Sequence, residues 1–277
     1  MSVIKPLAGI VLILLVSGLI ALAGSQGSVS SNGLPLFALC AAIGFALHWL
    51  VFVPSFLVQS EHYFDLTGAL SYLATVGVAL GLNSQLSDRA LLLGLLVSIW
   101  ALRLGSFLFL RVRRSGGDRR FDAIKPHFWR FLFSWTLGGA WVFITLAAAL
   151  AAMTSLSFQP LGLATLVGVL LWLAGFSIEV IADRQKTRFR RDPANRDRFI
   201  SSGLWSRSRH PNYFGEIVLW LGIALIALPA LHGWQLVTLI SPLFVILLLT
   251  RGSGIPILEE DARQRWGEDP DWQRYVA

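Results

Sequence analysis

Residues 203–222, Gly-Leu-Trp-Ser-Arg-Ser-Arg-His-Pro-Asn-Tyr-Phe-Gly-Glu-Ile-Val-Leu-Trp-Leu-Gly, join a polar, basic segment to the start of a long apolar run. The apolar half has no period-2 alternation and leads into enough hydrophobic sequence to cross a bilayer, so it predicts a membrane helix. The polar half fixes where that helix begins. Pro211 suits a first helical turn, where its missing N–H would have no intrahelical partner. Free N–H groups and the positive dipole end there can hold an anion, and Arg207, Arg209 and His210 line the approach. Asn212 and Glu216 are four residues apart and share a face, with Tyr213 beside them. A flank that merely anchors lipid headgroups needs the arginines; it does not need Asn, Tyr and Glu on the apolar side of the boundary. An anionic cofactor does.

Working outward, the 277 residues are 55% hydrophobic and 14% charged, with a mean hydropathy of +0.64. That composition predicts an all-α, polytopic integral membrane bundle of seven to eight transmembrane helices, in a single domain over residues 1–277. Candidate spans lie at 4–23, 34–57, 65–84, 89–110, 131–154, 160–182, 212–230 and 234–250. The last is short and carries Pro242, so a tilted or partly re-entrant final span is the alternative. The first run is long enough to span and has no clear cleavage pattern after it, which favours a helix over a signal peptide. The net charge of +7 sits in short loops: Arg111, Arg113, Arg114, Arg119, Arg120 and Lys125 in one, and the segment from Arg184 to Arg209 in another. Placing these loops in the cytoplasm puts both termini there as well. The same pattern argues against a nucleic-acid partner. Trp129, Trp135, Trp205, Trp234 and Trp266 fall near span boundaries and suit an interfacial belt. Cys40, the one cysteine, excludes an internal disulfide and a multi-cysteine metal site, and no metal is expected.

Ionisable residues within or beside spans are expensive in lipid and are functional candidates. Gln59-Ser-Glu61-His62-Tyr63-Phe-Asp65 brings a carboxylate, a phenol and an imidazole to one junction. A carboxyl desolvated there near a like charge would have a raised pKa and could donate a proton; an ordinary polar turn is the competing reading. Glu179 and Asp183 end an otherwise apolar run and precede Arg184, Lys186, Arg188, Arg190 and Arg191. The acids suit the hydroxyls or amide of a nucleotide cofactor and the arginines suit its phosphates, with a structural salt bridge as the alternative. Arg103, about two turns before Arg111, and Arg251, at the end of the last span, complete the set of candidate cations.

Taken together, Pro54–Gly68, Arg207–Glu216 and Ser253–Glu259 resemble the membrane-bound steroid 5-alpha-reductase-like superfamily, most closely its bacterial and algal branch. The resemblance runs from about residue 50 to 277, beyond N-terminal spans in 1–57. It implies a helical membrane enzyme that takes NADPH from the cytoplasmic side and an unsaturated lipid from the bilayer. It also implies Asp183, Arg190, Asn212, Glu216 and Arg251 as cofactor contacts. Gln59 and Glu61 correspond to the family's Gln-Glu catalytic pair, here separated by Ser60. The family's catalytic Tyr has no equivalent, Trp100 occupying that neighbourhood, so Tyr63 is the substitute. Isoprenylcysteine and phospholipid methyltransferases share the Arg209–Tyr213 element and the Glu259-Glu260 pair, and imply S-adenosylmethionine instead. The arginine run and the Gln59–Gly68 stretch favour the reductase, because a diphosphate with a 2′-phosphate needs more positive charge than a sulfonium does. The expected location is the bacterial inner membrane, with bilayer lipids as neighbours. A lipid transporter is a poorer fit, because paired broken helices in matching halves are absent.

Overall fold

Eight helical segments are long and apolar enough to cross a membrane in the computed structural model, which describes residues 3–115, 117–118, 121–252 and 254–277. Arg119, Arg120 and Ser253 lie outside the described residues. The chain is an all-α polytopic bundle. Its helices are α1 (Ile4–Gly24), α2 (Leu36–Leu57), α3 (Phe64–Gly81), α4 (Asp88–Ser115), α5 (Phe128–Met153), α6 (Leu163–Arg191), α7 (Pro211–Ala227), α8 (Ile240–Leu247), α9 (Ile255–Trp266) and α10 (Pro270–Val276). Between α1 and α2, β1 (Ser30–Ser31) pairs antiparallel with β2 (Leu34–Pro35). Asn32 and Gly33 turn this hairpin at φ 51° and 79°, values that Asn and Gly adopt at least cost. The hairpin claims Leu34 and Pro35, so α2 starts two residues later than its apolar run.

The last span changes winding along its length. Residues Gly233–Leu239 form a 3₁₀ segment, α8 follows, and Leu248–Gly252 form a π-helical turn. Pro242 falls in the first turn of α8, where its missing donor costs nothing, and the tighter 3₁₀ winding precedes it.

The chain divides into two compact units, Met1–Ala164 with Ile226–Ser241 and Thr165–Leu225 with Pro242–Ala277. In the first, α5 is the central helix: 89% of its apolar stretch is buried, against 22% for α1. Lipid tails are as apolar as leucine, so membrane helices gain by close packing through small residues. α5 supplies these in Gly138, Gly139, Ala140 and the alanine-rich turns from Ala147 to Ala152. A Cβ at Gly139 would fall 3.0 Å from the Phe45 ring, and one at Gly138 would fall 2.9 Å from His48 Nε2.

Phe52, Phe121, Phe131 and Trp135 form an aromatic core near one end of this unit. Trp135 has no exposed surface, and its ring lies 5.2 Å from Phe64 and 5.9 Å from Phe131. Its expected place in an interfacial belt is therefore corrected: the aromatic partners that enclose it come from α2, α3 and α5 itself. At the other end, the buried Arg89 guanidinium donates to the carbonyls of Ile226 (2.5 Å) and Pro160 (2.8 Å). It ties the start of α4 to the Ile226 carbonyl, which a helix end leaves without an intrahelical donor, and to the loop carbonyl of Pro160.

In the second unit α6 and α7 cross through glycines. A Cβ at Gly175 would fall 2.5 Å from the Gly215 carbonyl oxygen, and one at Gly222 would fall 2.5 Å from that of Gly168. Each helix thus presents two glycines, seven residues apart, to the other's backbone. Trp205 is buried beside α6, donating its indole N–H to the Ala182 carbonyl at 3.1 Å under the Lys186 ammonium, 4.6 Å from its ring. It too is a packing residue rather than a belt residue. The tail closes on this unit through Phe199, Trp266, Trp272 and Tyr275, with the Tyr275 hydroxyl donating to the Trp205 carbonyl.

Candidate functional site

α2 ends at Leu57, and Gln59 takes a left-handed φ of 54° while its amide donates to the Phe56 carbonyl at 2.7 Å. Gln59 therefore terminates α2. The turn it makes sends Glu61 inward, where the residue is 3% exposed. The Asp118 backbone N–H donates to its carboxylate at 2.9 Å and the Lys125 ammonium at 3.1 Å. Burial alone would raise the pKa of Glu61, but the Asp118 N–H and the Lys125 ammonium outweigh it and hold the carboxyl below its ordinary value. The expectation of a raised, proton-donating carboxyl is corrected by these partners, which no local spacing announces. Asp65, the anticipated like-charged neighbour, has Arg111 at 3.8 Å. Tyr63 is 56% exposed, and His62 is exposed with its Nδ1 2.7 Å from Ser60 Oγ. The three groups expected to converge here do not share one pocket: Glu61 faces inward, while His62 and Tyr63 face outward.

A carboxylate whose folded pKa is depressed contributes stability that is present above its unfolded pKa and lost as pH falls through the folded value. Thermal melting of the wild type should therefore drop on acidification through and below the ordinary carboxylate range. The Glu61→Gln curve should be flatter there and lower at neutral pH. Parallel curves for the two proteins would contradict the pairing.

The second unit gathers most of the other candidates. Glu179 and Asp183 on α6 and Glu216 on α7 are 2%, 6% and 7% exposed. The crossing sets Glu179 against α7: a Cβ at Gly215 would fall 2.7 Å from the Glu179 backbone nitrogen. Arg184, Arg188, Arg190 and Arg191 are exposed on the last turns of α6. At the start of α7, Glu259 from α9 accepts from Arg209 Nη1 at 2.7 Å and meets His210 Nε2 at 2.5 Å. The His210 ring stacks on Tyr213, centroids 5.9 Å apart. Burial pushes the His210 imidazole down in pKa, opposed by Glu259. Asn212 is half-buried next to it, and Arg251 is exposed in the π-helical turn. Arg103 lies in the first unit, on α4, with its guanidinium 5.3 Å from the Phe107 ring centroid.

Several residues were missed by sequence reasoning. Lys125 as the partner of Glu61 has no local signal, being 64 residues away. His48, buried in α2 with Nδ1 2.7 Å from the Gly44 carbonyl, could have been found as an ionisable residue inside an apolar run. The paired glycines of α6 and α7 could have been found from their common seven-residue spacing. Among the described residues no group of His, Cys, Asp and Glu could hold a metal.

A probable O-methyltransferase of Ustilaginoidea virens is 29% identical over 133 residues, which cover 41% of this chain and 47% of that protein. The chain thus spans about half the length of that curated relative. No solved structure matches. Residues 51–277 match the family described as "Protein of unknown function (DUF1295)", most of the chain, and the protein belongs to that family.

Proposed function

We propose that the protein is an NADPH-dependent membrane reductase that saturates a carbon–carbon double bond conjugated to a carbonyl in a lipid. One observation carries this reading. Three carboxylates buried in the second unit, Glu179, Asp183 and Glu216, belong to the same unit as an exposed run of arginines at 184, 188, 190 and 191. Carboxylates accept hydrogen bonds from ribose hydroxyls and a carboxamide, and arginine forks meet phosphates. Asn212, Tyr213, Arg209 and His210 at the start of α7, with Arg251, complete the proposed cradle, and Glu259 fixes the orientation of Arg209 and His210. The bound cofactor would supply hydride. Tyr63 would hydrogen-bond the substrate carbonyl and hand over the proton. Glu61, held ionised, would act with Gln59 to shape the turn that presents Tyr63. The family includes steroid 5-alpha-reductase-like proteins, with which this reading is compatible.

A methyltransferase using S-adenosylmethionine is the second reading. It is favoured by the contact of Arg209 and His210 with Glu259, which joins the two elements those enzymes share, and by the relative's name. Calorimetry separates the readings. NADPH should bind more tightly than NADH, and Arg188→Ala with Arg190→Ala should narrow the gap. Saturable S-adenosylmethionine binding without either nicotinamide would replace the first reading with the second.

A further inference from the structure

At the end of the first unit away from Glu61, three loops line an open cleft of about 440 Å³. Gln26 and Gly27 come from the loop after α1, Ser155 and Ser157 from the loop after α5, and His232 and Gln235 from the segment before α8. The loops are laced together: Leu156 N–H donates to the Gly27 carbonyl (2.9 Å), Ser155 Oγ to the Ala230 carbonyl (3.1 Å), and Trp234 N–H to Gln26 Oε1 (2.8 Å). Such a lattice holds its shape before any ligand arrives.

The lining contains no Lys, Arg, Asp or Glu side chain, so it has no fixed charge for an ionic head. It does offer a donor and an acceptor. Gln235, 2% exposed, uses its Oε1 to accept from the His232 N–H, while its amide nitrogen is buried without a partner among the described residues. That nitrogen lies beside Gly27, where a Cβ would be 3.8 Å away. His232 Nδ1 is 3.3 Å from the Ala230 carbonyl; in the tautomer that carries its proton on Nδ1, Nε2 keeps its lone pair. A hydroxyl answers both, accepting from the amide and donating to the ring. Leu156 in the lining and Trp234 beside it are exposed apolar groups, suited to an acyl chain and to the membrane interface.

We infer that this cleft binds the head of an uncharged, hydroxyl-bearing lipid. The inference is independent of the proposed cofactor site. The test is native mass spectrometry of the full chain in a detergent without hydroxyls, titrated with 1-monooleoylglycerol, methyl oleate or glycerol. A single adduct with monooleoylglycerol, at least about ten-fold stronger than with methyl oleate and reduced to that level by His232→Phe, is expected. Ser157→Leu, which fills the cleft, should abolish it, with melting checked for both variants. If Ser157→Leu fails to fold, His232→Phe alone decides. Equal binding of monooleoylglycerol and methyl oleate, or wild-type binding by His232→Phe, would overturn the inference. Glycerol binding as tightly as monooleoylglycerol would overturn the assignment to a lipid.

Discussion

Replacing Gly215 with leucine should collapse the second unit. A Cβ at that position would fall 2.6 Å from the Gly175 carbonyl oxygen and 2.7 Å from the Glu179 nitrogen. Both are backbone atoms, so no rotamer change can relieve the clash, and α6 and α7 must separate. Overpacking a core typically costs about 1–3 kcal/mol, and four added heavy atoms against backbone should reach the upper end or exceed it. The crossing also sets Glu179 against α7, so cofactor binding should be lost with it. Gly18→Leu is the control, because nothing lies within 4 Å of a Cβ there. Thermal melting in detergent should fall sharply for Gly215→Leu and stay near wild type for Gly18→Leu. Equal melting of the two would show that the glycine crossing does not hold the unit together.

Removing the polar groups at the start of α7 should act on binding rather than on folding. Asn212→Ala and Glu216→Ala each delete a polar side chain while leaving the glycines of the crossing in place. A hydrogen bond to a charged ligand contributes about 1.5–3 kcal/mol, which is roughly 10- to 150-fold in affinity. Calorimetry with NADPH should show a loss of that order for each variant, with melting changed little. Wild-type affinity in both variants would remove α7 from the cofactor cradle.

The fold was legible because bilayer thickness translates directly into run length, and apolar runs in this chain are long and well separated. Their ends were less legible. The hairpin at 30–35 and the 3₁₀ segment at Gly233–Leu239 depend on turn chemistry that hydropathy does not record. Trp135 and Trp205 sat at the right depth for a belt, yet both turned inward, since depth along a helix says nothing about which face meets lipid. The same ambiguity governs the candidate site. Glu61 was visible as an unusual carboxylate, but its ionisation is set by Asp118 and Lys125 from a distant loop. Glu179 and Glu216 were visible as acids in apolar runs, but the crossing of α6 and α7 at Gly175 and Gly215, beside which both lie, was not read from the sequence.

The most direct test of a reductase follows the hydrogen itself. The purified protein in lipid nanodiscs is given NADPH deuterated at nicotinamide C4, methyl-labelled S-adenosylmethionine and an enone lipid, and the lipid is analysed by mass spectrometry. The account predicts one deuterium on the saturated β-carbon, formed faster with NADPH than with NADH and strongly reduced by Tyr63→Phe. A labelled methyl group on the lipid, with no deuterium incorporated, would contradict it.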